Sequence, residues 1–259
     1  KARRVKVDWR QLNRWYRTLD QLIARKEHHR LADLDRILPI ARKHGLHVIE
    51  DCAHTHGSQW RGRGAGTFGA FGSYSFQASK LVNAGEGGAL LVQDAKLYWK
   101  VVSMRTCGRV PEGSNGIRMH SGNYRLTSFQ AAILRGQLSA LKHNASVMDR
   151  HGLALDRAVD AAPGVHSLRR HRHITRQCSY CFVFLYHPEA YDGLSLGAFR
   201  RALSAELGTG FSGTYEPLNN SAVYYPHTKK RHQLSGAYCR AIDPARWELP
   251  VCQELFRHR

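Results

Sequence analysis

The segment that decides the fold is Ser75-Phe76-Gln77-Ala78-Ser79-Lys80, which is followed by the turn Gly85-Glu86-Gly87-Gly88. Residues 72–76 and 88–92 predict short strands on either side of Lys80. Upstream, His47-Val48-Ile49 predicts another strand, which places Asp51 at its carboxyl end. Open α/β sheets collect their ligand-binding groups at the carboxyl ends of strands. Asp51 and Lys80 are therefore candidate site residues on one sheet.

The residue types at these positions fit the chemistry of pyridoxal 5'-phosphate. That cofactor needs an amine to bond its aldehyde carbon, a carboxylate to keep its ring nitrogen protonated, and donors for its phosphate. Lys80, Asp51 and Ser75 supply these three types of group. A lysine between a strand end and a glycine-rich turn can also be desolvated by the fold, which favours a neutral, nucleophilic amine.

Several blocks of the sequence carry a resemblance to a known family. Residues 31–141 resemble the DegT/DnrJ/StrS family of fold-type I sugar aminotransferases, and so do residues 123–132 and 214–218. Residues 48–58 and 60–66 are similar to the branch of that family that acts on scyllo-inosose and 2-deoxy-scyllo-inosose in aminoglycoside antibiotic biosynthesis. The resemblance implies an α/β fold with an incomplete large-domain sheet and part of a small carboxyl-terminal domain.

The resemblance also implies a role for four residues around the cofactor ring. Lys80 is expected to carry the cofactor covalently, and Asp51 to pair with its ring nitrogen. Ala53 is expected to pack against the ring face. His54 is expected near the phenolic oxygen, where most of the family has glutamine.

Two further residues are implied as phosphate ligands. Ser75 is expected to bind the phosphate within its own subunit. Asn123 is expected to reach into the site of a neighbouring subunit. The active unit is then expected to be a homodimer.

The function implied is transfer of an amino group from an amino acid, L-glutamine by resemblance, to a keto-cyclitol such as scyllo-inosose. One alternative is an aminotransferase for nucleotide-linked keto-sugars. Another is a shortened, inactive homologue that serves as a binding partner. The dehydratase branch of the family has histidine in place of the lysine, so Lys80 argues against that activity.

The chain is expected to divide into three parts. Residues 1–30 form an atypical basic segment with an amphipathic helix over 8–26, residues 31–143 a partial cofactor-binding large domain, and residues 144–259 a partial small domain. Compared with the family, both ends look short, so the chain alone is expected to be weakly active or inactive. Further helices are predicted over 94–106, 128–142 and 195–206, and a strand over 179–186.

Composition limits the other function classes. The chain has 259 residues and a formal net charge of +19, but its arginines are scattered and no nucleic-acid recognition motif accompanies them. No apolar run reaches the roughly 18 residues of a membrane helix. We therefore expect a cytoplasmic protein that binds neither nucleic acid nor membrane.

Three local patterns have competing interpretations. His54-x-His56 could suggest metal ligands, but the neighbouring sequence offers only Asp51 to complete such a set, and no metal is expected. Cys178 and Cys181 have metal or redox spacing without a second such pair, and free thiols are expected. Gly64-x-Gly66-x-x-Gly69 fits the dinucleotide fingerprint but follows no apolar strand, so a turn is predicted.

Overall fold

The computed structural model describes residues 31–110, 112–213, 215–217, 220, 235–241, 243, 250 and 253. The predicted helix over 8–26 lies outside the described residues, and so do Thr214 and Leu218 of the block 214–218. The helices are α1 (Leu34–Lys43), α2 (Ala95–Arg105), α3 (Ser128–Asp160), α4 (Leu196–Leu207) and α5 (Gly236–Ala241), with a 3-10 helix at Pro188–Tyr191. The strands are β1 (Ile49–Asp51), β2 (Gln59–Trp60), β3 (Arg63–Gly64), β4 (Phe71–Ser75), β5 (Gly88–Val92), β6 (Val165–Ser167), β7 (Ile174–Arg176) and β8 (Phe184–Tyr186).

The sheet that positions the candidate site has the strand order β1-β4-β5. β1 runs parallel to β4, with Asp51 opposite Ser73, and β5 runs antiparallel to β4. Because parallel strands end at the same edge, Asp51 and Ser75 come to one edge of the sheet. The strands predicted over 72–76 and 88–92 are confirmed, and Asp51 is the last residue of its strand as expected.

The side chain of Glu50 fixes the turn between β3 and β4. One carboxylate oxygen accepts the backbone N–H of Gly66 at 2.7 Å, and the other accepts those of Phe68 and Gly69 at 2.7 Å each. Gly66 has a φ of +80°, which suits glycine. Residues 64–69 therefore form a turn around a carboxylate, which confirms the prediction and excludes a phosphate-binding fingerprint at this position.

Replacing Glu50 with glutamine should destabilise the fold. An amide has one acceptor oxygen, and its NH2 group would face backbone donors that the carboxylate now satisfies. Hydrogen bonds to charged groups contribute about 1.5–3 kcal/mol each, so we expect Glu50→Gln to lower the free energy of unfolding by about 2–3 kcal/mol. Urea unfolding measures this. Glu86→Gln, at an exposed turn residue, is the matched control and should change little; equal midpoints for the two variants would contradict the account.

A second sheet, β3-β2-β7, joins the segment after β1 to a later part of the chain. At its centre Trp60 is 1% exposed and stacks on His171 with 4.8 Å between ring centroids. The Trp60 indole N–H donates to Asp35 of α1 at 3.2 Å, and Arg61 donates to the same carboxylate at 2.9 Å. This sheet, which the sequence analysis did not predict, holds residues 174–176 against the loop that follows Asp51.

Helix α3 begins as the sequence predicts and ends much later. Thr127 and Gln130 form a reciprocal capping box at its start. The predicted end at residue 142 is wrong, because the helix continues to Asp160. Ala145 has no exposed surface and packs on Gly57, where a Cβ would lie 2.8 Å from the Ala145 Cβ. Residues 143 and 144, between which a domain boundary is predicted, lie inside this helix.

The described chain divides into two compact units. Of the described residues, the larger contains 31–110, 112–161 and 167–184, and it holds every candidate site residue. β8 pairs with β6, and α4 confirms the helix predicted over 195–206. The strand predicted over 179–186 is wrong except for Phe184–Tyr186. No described helix is long and apolar enough to cross a membrane.

Candidate active site

Asp51 presents a carboxylate at the carboxyl end of β1. One of its oxygens accepts the backbone N–H of Ala53 at 3.1 Å, and the side chain is exposed. The other oxygen has no hydrogen-bond partner within the described part of the chain. The short loop after β1 thereby orients the Asp51 side chain, and one carboxylate oxygen remains available to a ligand.

Lys80 and His54 meet at the ring of Tyr180. The Lys80 Nζ lies 4.3 Å from the centroid of the Tyr180 ring. The His54 imidazole stacks on the same ring, with 4.2 Å between centroids and 17° between planes. A small pocket opens here, lined by Ala53, His54, His56, Leu81, Met148, Cys178, Ser179 and Tyr180.

Lys80 and Asp51 both act on the protonation of His54. Burial and the positive charge of Lys80 lower the pKa of His54 below its usual 6.5, while the negative charge of Asp51 acts in the opposite direction. His54 is therefore held mainly as the neutral imidazole at neutral pH. A neutral imidazole can donate or accept one hydrogen bond beside Lys80 without adding a second positive charge.

His56 connects the loop after β1 to the end of β4. Its side chain is buried, and its Nε2 lies 2.9 Å from the backbone carbonyl oxygen of Ser75, so Nε2 carries the donated proton. Its ring also packs against Tyr74 and Phe76. The Ser75 hydroxyl accepts the backbone N–H of Gln77 at 3.3 Å, which turns the chain toward Lys80. His56 thus fixes the backbone on which Ser75 is presented.

The protonation of His56 should make stability depend on pH. Burial is the main reason that the pKa of His56 lies below its usual 6.5, so the folded chain keeps it neutral at pH values where the unfolded chain binds a proton. The free energy of unfolding should therefore fall as the pH drops below about 6.5, by at most about 1.4 kcal/mol per pH unit from this group.

His56→Gln, which retains an N–H donor for Ser75, should flatten that dependence. Urea unfolding at pH 7.5, 6.5 and 5.5 measures the slope. His143→Gln, at an exposed position of α3, is the control and should keep the slope of the unmodified chain. The same slope in both variants would show that His56 is not the titrating group.

Asn123 lies apart from this group of contacts. It is exposed, forms an isolated β-bridge with Thr106, and its Oδ1 accepts the backbone N–H of Arg125 at 3.2 Å. Within the described residues it has no hydrogen bond to Asp51, Ser75 or Lys80. Its role as a phosphate ligand in a neighbouring subunit stays a prediction.

The histidine pair and the cysteine pair that could suggest a metal site make separate contacts. His54 and His56 face different partners, Tyr180 and Ser75, and the described residues contain no group of three or more possible metal ligands. Cys178 and Cys181 are free thiols, as predicted. Burial raises the pKa of Cys178 to about 11, which keeps it a neutral thiol.

The available groups fit pyridoxal phosphate by the chemistry of the donor set. Asp51 offers an acceptor oxygen for a protonated ring nitrogen, and Lys80 offers an amine that makes no ion pair with any described residue. Ser75 offers a hydroxyl at the same sheet edge. Ala53 has a small side chain and lines the pocket beside His54 and Tyr180. The residue that sequence reasoning missed is Tyr180, because its contacts arise between positions far apart in the chain.

The sequence of the chain matches a known protein family over most of its length. Residues 29–257 match the DegT/DnrJ/EryC1/StrS aminotransferase family. The chain belongs to this family. The resemblance inferred from the blocks around Asp51 and Lys80 is therefore confirmed.

Two curated relatives are named as aminotransferases of inososes. The chain is 34% identical over 237 residues to the L-glutamine:2-deoxy-scyllo-inosose aminotransferase of Streptoalloteichus tenebrarius, covering 88% of this chain and 56% of that protein. It is 35% identical over 235 residues to the L-glutamine:scyllo-inosose aminotransferase of Streptomyces griseus, covering 86% and 55%. The chain thus spans about half the length of the curated relatives it matches.

Solved structures share the fold. The chain superimposes on 3-amino-5-hydroxybenzoic acid synthase with a TM-score of 0.55 and 31% identity, over 60% of this chain and 41% of that one. It superimposes on PseC of Helicobacter pylori, an aminotransferase of pseudoaminic acid biosynthesis, with a TM-score of 0.68 and 20% identity, over 88% and 57%. The expected α/β fold of fold-type I aminotransferases is therefore confirmed.

Proposed function

We propose that the chain is a pyridoxal-phosphate-dependent aminotransferase that transfers an amino group from L-glutamine to a keto-cyclitol such as scyllo-inosose. The observation that carries the proposal is the placement of Asp51 at the end of β1, with His54 and Lys80 held together on the ring of Tyr180. The acceptor class is supported by relatives named for (2-deoxy-)scyllo-inosose that are 34–35% identical over most of this chain.

Lys80 has two tasks in this proposal. When bound, pyridoxal phosphate supplies an aldehyde that accepts the amine and a ring that withdraws electrons from the substrate carbon. Lys80 would hold the cofactor through its Nζ at that aldehyde carbon until the donor's amino group takes its place. The freed Nζ would then remove a proton from the donor's alpha carbon as general base and deliver it to the cofactor side as general acid.

The other site residues hold the cofactor and set its charge. Asp51 keeps the ring nitrogen protonated, because its unpaired oxygen can accept that N–H. Ala53 packs on the ring face, and His54 donates a hydrogen bond to the phenolic oxygen. Ser75 donates its hydroxyl to the phosphate. His56, by binding the Ser75 carbonyl oxygen, holds that donor in place.

We also propose that the active unit is a homodimer in which Asn123 binds the partner's phosphate. The support is the surface around it, which is unusually apolar for a solvent-exposed segment. Tyr124 is 71% exposed, Phe129 85% and Ile133 50%. Sedimentation equilibrium of the purified chain tests for the dimer.

The function is tested by the choice of acceptor. Purified protein is supplied with pyridoxal phosphate and L-glutamine, and then with scyllo-inosose, 2-deoxy-scyllo-inosose or a nucleotide-linked 4-keto-sugar. Amino-cyclitol product from either inosose, with none from the nucleotide sugar, is the expected result. Product from the nucleotide sugar alone would show that the acceptor is a nucleotide-linked keto-sugar and not a keto-cyclitol. A chain that does not bind the cofactor at Lys80 would support the alternative of an inactive homologue that serves as a binding partner.

A further inference from the structure

Tyr180 makes three separate contacts with the candidate site. Its ring face lies 4.3 Å from Lys80 Nζ, and the ring stacks on His54 at 4.2 Å. Its hydroxyl lies 2.9 Å from the hydroxyl of Ser79. Since Ser79 donates to Gln77 Oε1 at 2.5 Å, the Tyr180 hydroxyl is the donor to Ser79. One side chain therefore contacts the lysine, the imidazole and the loop that leads to the lysine.

The position of Tyr180 is fixed by the segment that carries it. The backbone N–H of Cys178 donates to the Ser58 hydroxyl at 2.9 Å, and that hydroxyl lies 3.2 Å from the Cys178 carbonyl oxygen. One residue earlier, the Gln177 N–H donates to Asp149 of α3 at 2.7 Å. Tyr180 itself remains 36% exposed. Its place beside Lys80 thus comes from backbone anchoring and leaves the ring open toward the pocket.

We propose that Tyr180 is a positioning residue for Lys80. The face of the Tyr180 ring receives the amino group of Lys80 whenever that group is not bonded to the cofactor. The inference rests on the proposed function and adds to it a resting position for the displaced lysine. A free lysine side chain has four rotatable bonds, and a contact with an aromatic face restricts them. The same ring holds His54 by stacking, so lysine and imidazole stay on one side of the site.

The ring, rather than the hydroxyl, carries this role. An ammonium over an aromatic face is stabilised by about 0.5–1 kcal/mol at an exposed site, which corresponds to a factor of about two to five. Tyr180→Phe keeps the face and loses only the bond to Ser79. Tyr180→Leu removes the face and keeps an apolar side chain.

The test measures the reactivity of Lys80 in the cofactor-free chain. Trinitrobenzenesulfonate labels amines, and peptide mapping gives the labelling rate of Lys80 relative to Lys96, an exposed lysine of α2. We expect this ratio to rise about two- to fivefold in Tyr180→Leu. Tyr180→Phe and Ser79→Ala should keep the ratio of the unmodified chain. Tyr180→Met is a second variant without a ring, for use if Tyr180→Leu does not fold, and should raise the ratio equally.

Two results would overturn the inference. One is an unchanged ratio in the folded variants without a ring, and the other is a rise in Tyr180→Phe or Ser79→Ala as large as in Tyr180→Leu. Because the labelling uses no cofactor, it is independent of the proposed function. If the cofactor attaches to Lys80 but the labelling ratio is the same in the unmodified chain and in the variants without a ring, only the role of Tyr180 is rejected. A raised ratio in a chain that never takes up cofactor would reject only the function.

Discussion

Lys80→Ala should abolish transamination, lowering the rate with L-glutamine and scyllo-inosose by a factor on the order of 10³ or more. The variant loses both the amine that bonds the cofactor and the group that moves the proton. Its fold should be unchanged, because the backbone hydrogen bonds of Lys80 with Gln77 and Asn83 do not need the side chain, whose contact with the Tyr180 ring is the one lost. The measurement is product formation under saturating pyridoxal phosphate, with the far-ultraviolet circular dichroism spectrum recorded in parallel.

Two variants complete the Lys80 experiment. Lys80→Arg keeps a positive charge over the Tyr180 ring but cannot act as a neutral amine, so it should be as inactive as Lys80→Ala. Lys96→Ala removes an exposed lysine from α2 and should leave the rate unchanged. Turnover by Lys80→Ala within tenfold of the unmodified chain would show that Lys80 is not the reacting group.

Asp51→Asn should impair turnover far more than it weakens cofactor retention. The amide oxygen can still accept the Ala53 N–H, so the loop after β1 should keep its shape. A neutral amide cannot hold the ring nitrogen protonated, and removing such an electrostatic contribution costs about 10²–10³ in rate. Phosphate and ring-face contacts remain, so cofactor affinity should fall much less.

The Asp51 prediction is checked by measuring two quantities on the same preparation. Absorbance titration with pyridoxal phosphate gives retention, and steady-state kinetics give kcat. Asp192→Asn is the control, because Asp192 lies outside the larger unit and has a φ of 49°, which asparagine also adopts. Near-normal kcat in Asp51→Asn would make Asp51 a structural residue.

Local patterns in the sequence were sufficient to predict the elements that carry the site. The strands before Asp51 and Lys80 were recognisable from short segments with β-branched or aromatic residues and nearby glycine. The start of α3 was recognisable because Thr127 and Gln130 form a motif within four residues. These features depend on contacts between residues that are close in the chain.

What the sequence could not show depends on contacts between distant residues. Helix α3 continues through residue 144 because Ala145 is buried against Gly57, a contact that no helix propensity reveals. The strand β8 begins only at Phe184, and residues 179–183 instead include Tyr180, whose hydroxyl bonds to Ser79 from a distant part of the chain. The convergence of Tyr180, His54 and Lys80 follows from the same anchoring.

The central claim, that Lys80 carries the cofactor, is tested most directly by trapping. The chain is incubated with pyridoxal phosphate, reduced with borohydride, digested and mapped by mass spectrometry. The account predicts a pyridoxyl group on Lys80 as the main product, absent when the Lys80→Ala variant is treated in the same way. A pyridoxyl group mainly on another lysine, with Lys80 unmodified in protein that retains the cofactor, would contradict it.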